Sequence, residues 1–238
     1  MSSRVGNEKE KADNYTHAAL VGAGINSQYL LKIDPSGYAE TDILKATKSM
    51  FRKESWQETF SNFIYTVDPT ITLVAKPGDC PVAIVFAEAS NGKQMLGLLH
   101  AGRTQLDKQL PKQVIAHLVT HGFATQYISV GIAPSIAFSN YFIQEKDLHM
   151  LPGYANWQDH GRAKKRDKKI YLDLLGFFSD QLQEAGIAPN HIQAYVMDTY
   201  ESSKNHECFS HRYAVYTDQE ELNGRFLVAA QLVTPPVG

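Results

Sequence analysis

Residues 82–87 and 95–100 are two apolar runs of strand length, separated by Ser90-Asn91-Gly92-Lys93. Asn-Gly tolerates the positive φ angles of a tight turn, so the segment is predicted to be a β-hairpin. With the turn centred between Asn91 and Gly92, Val82 is expected to face Ala101. Cys80 sits just before one strand, in Gly78-Asp79-Cys80-Pro81, and His100 ends the other, in Leu99-His100-Ala101-Gly102-Arg103. Their stagger is then three residues, roughly 10 Å along the strand. An odd stagger points the two side chains to opposite faces, so contact would need a bulge, or a bend at Gly78 and Pro81.

The remaining pattern alternates strands and helices. Residues 70–74 are rich in β-branched side chains and predict a strand before the turn Lys76-Pro77-Gly78-Asp79. A helical period over 109–121 ends at Gly122, and another over 171–185 ends at Gly186. Residues 127–132, 191–197 and 225–233 read as further strands. Helices mixed with at least one hairpin predict an α+β fold with a mixed sheet rather than an all-parallel one. Residues 1–15 are polar and aperiodic and are expected to form a frayed tail, with 16–238 as a single domain.

Charge and composition exclude several classes. The 23 Lys+Arg against 25 Asp+Glu give a net charge of −2, which offers no global footprint for nucleic acid or a membrane surface. No apolar run approaches the ~18–20 residues of a membrane span, and the polar, mixed-charge start is unlike a secretory signal. A cytoplasmic protein is expected. With only two cysteines, Cys80 and Cys208, neither a disulfide scaffold nor a four-cysteine zinc module can be built. The basic run over 159–169 reads as a solvated loop or helix start. The glycine-bearing segment Gly22-Ala23-Gly24-Ile25-Asn26-Ser27 lacks the third glycine of a dinucleotide loop, and Asp34 comes too early for its acidic partner. A plain turn is predicted there.

Cys80 and His100 are the residues with chemistry to offer. A thiolate and an imidazole can share a soft divalent ion such as Zn²⁺, or act as nucleophile and base with Asp79 as orienting group. They can equally be a buried, inert cysteine and an unrelated histidine. Cys208 reads as a small apolar filler. His117 and His121 are four apart on a helix but lack an accompanying glutamate.

Six motifs, Asp79-Cys80-Pro81-Val82, His100-Ala101-Gly102-Arg103, Gly131-Ile132-Ala133-Pro134-Ser135-Ile136, Tyr171-Leu172-Asp173-Leu174, Asp198-Thr199-Tyr200 and Phe209-Ser210-His211-Arg212, occur in the order of the laccase-domain (polyphenol oxidase) family. Gly224-Arg225-Phe226 also resembles that family's C-terminal signature. The resemblance implies an α/β/β/α sandwich related to the cysteine-hydrolase toxins, and purine nucleoside phosphorylase activity on adenosine- or inosine-type nucleosides. It implies a zinc-type site at Cys80 and His100, with Arg103 supplying positive charge and Asp79, Ser210, His211 and Arg212 at the substrate. The family's upstream histidine lies in a Gln-Val-His-Gly context that is missing here. His17, the only histidine before Cys80, is the remaining candidate for the third ligand, unless there is none. The usual His-Ala-Gly-Trp-Arg-Gly is cut to His-Ala-Gly-Arg, and Asp198 stands where Cys-Thr-Tyr has its cysteine. The implied partners are a purine nucleoside and phosphate, not nucleic acid or membrane, for a monomer. Two alternatives stay open: a metal-free Cys/His hydrolase or deamidase, and a degenerate pseudoenzyme of the same fold. Copper, the older family label, is disfavoured, because a blue-copper centre needs two histidines with its cysteine.

Overall fold

The computed structural model describes residues 5–25, 28–33, 43–51 and 55–233. From the N-terminus the elements are α1 (Val5–Gly22), β1 (Tyr29–Ile33), β2 (Ile43–Lys45), β3 (Trp56–Thr59), β4 (Phe63–Thr66), β5 (Ile71–Ala75), β6 (Val82–Glu88) and β7 (Gln94–His100). Next come α2 (Arg103–Asp107), α3 (Leu110–Thr120), β8 (Ile128–Ile132), β9 (Phe142–Gln144), α4 (Tyr154–Asp159), β10 (Ala163–Arg166), β11 (Lys169–Leu172) and α5 (Leu174–Glu184). The chain closes with β12 (Ile192–Ala194), α6 (Thr199–Lys204), α7 (His211–Thr217) and β13 (Val228–Ala230).

The strands form a six-stranded sheet, β12-β8-β6-β7-β4-β2, a four-stranded sheet, β13-β5-β1-β3, and a three-stranded sheet, β10-β11-β9. Side-chain alternation explains how they stack. In β6, Ala83, Val85 and Ala87 join one core with α3 and α5, while Val82, Ile84 and Phe86 join a second core with the four-stranded sheet. Leu30 and Val74 leave the far face of that sheet and pack with Leu20 of α1. The order of layers is helix, sheet, sheet, helices, the α/β/β/α sandwich expected. The runs 82–87 and 95–99 are apolar without interruption because both faces of their sheet are covered.

Three local expectations are corrected. The predicted tail at 1–15 is helical from Val5 onward; Glu8, Glu10, Lys9, Lys11 and Ala12 are good helix formers, and Leu20, almost fully buried, anchors the helix end. The glycine-bearing segment is a turn, as expected, and ends that helix. Gly24 takes φ +75°, and the N–H groups of Gly24 and Ile25 donate to the carbonyls of Val21 and Leu20, a Schellman cap. Ser27 and Asp34 lie outside the described residues. The basic run is a hairpin: Arg166 pairs with Lys169 across a turn at Asp167 and Lys168, both at positive φ. Tyr171 and Leu172 therefore belong to β11, and α5 starts three residues later than its period suggested, where Asp173 accepts from the Gly176 N–H.

The central hairpin slips by one residue. Val82 pairs with His100, not Ala101. Gly92, at φ +78°, donates to the Ala89 carbonyl, and the Ala89 N–H donates to Lys93. The loop thus has three residues ending in a left-handed glycine, rather than the two-residue turn expected. That changes the parity of everything beyond the strand ends. Among the described residues, no helix is long and apolar enough to cross a membrane.

Candidate functional site

β4, β6 and β7 bring three chain segments to one corner of the six-stranded sheet. The observed register shortens the Cys80–His100 stagger to an even two residues, which puts their side chains on the same face. The expectation of opposite faces was wrong because Gly92 adds a residue to the turn. Gly102 marks the meeting point. A Cβ built there would lie 3.0 Å from Cys80 Sγ and 3.4 Å from His100 Cε1, so the thiol and the ring flank space that only glycine leaves open.

His100 is buried and its pKa is pushed down to about 4 by that burial. The imidazole is neutral at physiological pH. Its Nδ1 donates to Asn62 Oδ1 at 3.1 Å, and its backbone N–H donates to the Asn62 carbonyl at 2.8 Å. With the proton on Nδ1, the lone pair sits on Nε2. Asn62 is itself buried. Nothing in the sequence singled it out, since one asparagine at a strand start looks like ordinary turn chemistry.

Burial pushes the Cys80 thiol up to about 11, and the Asp79 carboxylate adds to this, while Arg212, Arg225 and Arg103 pull the other way. Three guanidinium groups therefore act on one thiol. Arg103 opens α2 directly after Gly102. Arg212 is held firmly: its Nη1 donates to the Phe142 carbonyl at 3.1 Å and to the Tyr216 hydroxyl at 2.6 Å, and its guanidinium lies 4.6 Å from the ring centre of buried Tyr141. Arg225, known beforehand only as part of a C-terminal motif, has Nη1 3.4 Å from where a Cβ on Gly78 would stand.

Two residues expected at the substrate are taken up by the scaffold. Asp79 Oδ1 accepts from the Thr199 hydroxyl and Oδ2 from the Arg212 N–H, both at 2.8 Å. Ser210 is fully buried and caps α7 by accepting from the Tyr213 N–H. Both side chains are buried; Asp79 clamps the Cys80 loop to α6 and α7, and Ser210 fixes the start of α7. Asp198 is similarly a cap, accepting from the Tyr200 and Ala137 N–H groups. His211 is exposed, with Nδ1 3.0 Å from Asn223 Oδ1. The Cys208 thiol donates weakly to the Phe209 carbonyl.

The three-ligand metal set is not assembled among the described residues. His17 is exposed on α1, the helix that covers the outer face of the four-stranded sheet. Among the described residues, no three His, Cys, Asp or Glu side chains gather where an ion could be held. Cys80 and His100 supply two donors, His100 through Nε2, while Asn62 holds the opposite ring nitrogen. A three-ligand zinc site does not fit this donor set, and a multi-copper cluster fits it less.

Residues 13–232 match a family model described as multi-copper polyphenol oxidoreductase laccase. No curated protein matches the chain. Among solved structures, the hypothetical protein YfiH of Bacillus licheniformis superposes with a TM-score of 0.71 at 19% identity, over 90% of this chain and 78% of that one. YlmD of Geobacillus stearothermophilus gives 0.70 at 18%, over 90% and 77%. The Neisseria meningitidis protein NMB0706 gives 0.63 at 12%, over 90% and 77%. At these identities the likeness establishes the shared fold.

Proposed function

From its membership of the multi-copper polyphenol oxidoreductase laccase family, we propose that this chain is a purine nucleoside phosphorylase working at the Cys80–His100 corner. The observation that supports the reading most is the set of guanidinium groups acting on Cys80 beside a neutral, tautomer-fixed imidazole. Arg103 and Arg212 suit a phosphate dianion, since Arg212 is already held in place and needs little reorganisation to stabilise charge. A phosphate oxygen bonds to C1′ of the ribose as the C1′–N9 bond breaks. The bonding pair leaves with the purine, which takes a proton from solvent, and the second product is ribose 1-phosphate. Nε2 of His100 accepts a hydrogen bond from phosphate or a ribose hydroxyl. Cys80, held as a thiol, fills and shapes the corner. No step is routed through zinc, because the described residues bring only two such donors, Cys80 and His100, together.

The test is cleavage of inosine and adenosine with and without phosphate. Release of base is expected to require phosphate, and Arg103→Ala is expected to raise the KM for phosphate by about tenfold. Equal release in plain buffer would convert the proposal to hydrolysis. A folded but inert chain would favour the degenerate-member reading, for which the pairing of only two metal donors, Cys80 and His100, among the described residues is the supporting observation.

A further inference from the structure

A cavity of about 500 Å³ lies between α1, the segment after β5 and the chain leading into β13. Arg225 lines it and also acts on the Cys80 thiol, so the cavity adjoins the reacting corner. Phe209 forms part of its wall and is 40% exposed. One face of that ring lies flat on Gly224, with Cγ, Cδ1 and Cε1 all closer than any side-chain carbon at 224 would allow. The glycine therefore pins the ring, and the rest of it stays open to the cavity. Beside this platform, Arg225 is fixed through Nη1, which donates to the Gly224 carbonyl at 2.6 Å and to Asn223 Oδ1 at 3.1 Å. Among the described residues, its Nε and Nη2 donors carry no hydrogen bond.

A pinned aromatic face next to an oriented pair of N–H donors is a recognition site for a planar heterocycle with paired acceptors. Building on the phosphorylase reading, the geometry points to this cavity as the base subsite, selective for 6-oxopurine nucleosides. The purine stacks on Phe209, a contact available to any base. Selectivity comes from Arg225, whose donors match the O6 and N7 acceptors of a 6-oxopurine, whereas adenine presents an amino donor at the same place. The base then sits in the cavity and C1′ reaches toward Arg103 and Arg212.

The experiment is direct calorimetric binding of inosine, guanosine and adenosine without phosphate, together with phosphorolysis kinetics. The unaltered chain is expected to bind inosine and guanosine about tenfold or more tighter than adenosine. Phe209→Ala and Phe209→Leu should weaken all three by about tenfold, while Phe209→Tyr restores binding, which a purely structural role for the ring would not require. Arg225→Met should weaken inosine and guanosine more than adenosine and so remove the preference. The assignment is overturned by equal affinity for adenosine and inosine, by full binding in Phe209→Ala or Phe209→Leu, or by no nucleoside binding at all. Selective binding without phosphorolysis leaves the subsite standing and removes only the reaction.

Discussion

A thiol with its pKa near 11 is ionised in about one molecule in three thousand at pH 7.5. Cys80 is therefore expected to react slowly with iodoacetamide at that pH, with a rate rising about tenfold per pH unit toward 11. Peptide mass mapping separates it from Cys208. Prompt alkylation of Cys80 at pH 7.5 would instead revive the nucleophile reading. At this scale the site was half legible. Cys80 and His100 could be placed at one end of a hairpin from sequence alone, because glycine, proline and strand pattern mark their positions. Whether they faced each other hung on one backbone angle at Gly92, which a two-residue Asn-Gly turn would have set differently. Asn62 carried no pattern, since its role exists only once β4 has paired with β7.

Among elements, the Asp79 carboxylate is the tie that matters most to the site. It is buried and joins the loop before β6 to the starts of α6 and α7. Asp79→Ala would leave the Thr199 hydroxyl and the Arg212 N–H unpartnered, a loss of about 2–4 kcal/mol, seen as a melting temperature lower by roughly 5–10 °C. An unchanged melting temperature would show that the loop is held by something else. The sequence motifs did place Asp79, Ser210 and Arg212 near one another. They could not tell a ligand contact from a cap, because both use the same oxygens and differ only in what is already bound to them. Strand and helix identities were largely readable, and the misjudged start of α5 came from Tyr171 and Leu172, which satisfy a helical period while pairing with β9 and β10.

For the whole molecule, His100 links the site to acid stability. Its pKa is about 4 when folded and about 6.5 when exposed. Between those values the unfolded chain binds a proton that the folded chain refuses, so stability is full above pH 6.5 and is lost as pH falls toward 4. The loss is about 3 kcal/mol, complete at pH 4 with no further contribution below it. Urea unfolding at pH 7 and pH 5 measures it, and His100→Gln should flatten the difference by about 2 kcal/mol. An identical pH dependence in the variant would mean the imidazole is not excluded from water. The layered architecture was legible in outline, since strands apolar on both faces demand two covering layers. The covering role of α1 was not, because the polar start of that helix hides the one turn, around Leu20, that packs on the sheet.

The hairpin and the cavity have different origins in the chain. The corner holding Asn62, Cys80, His100 and Arg103 comes from one stretch of the first half of the chain, joined by Arg212 and Arg225, whereas the outer wall of the cavity beside Phe209 is Tyr15, Thr16 and Ala19 of α1. Substitution along α1 can thus reshape what is recognised while the reacting corner keeps its form. In a fold of this kind, specificity can drift without rebuilding the chemistry.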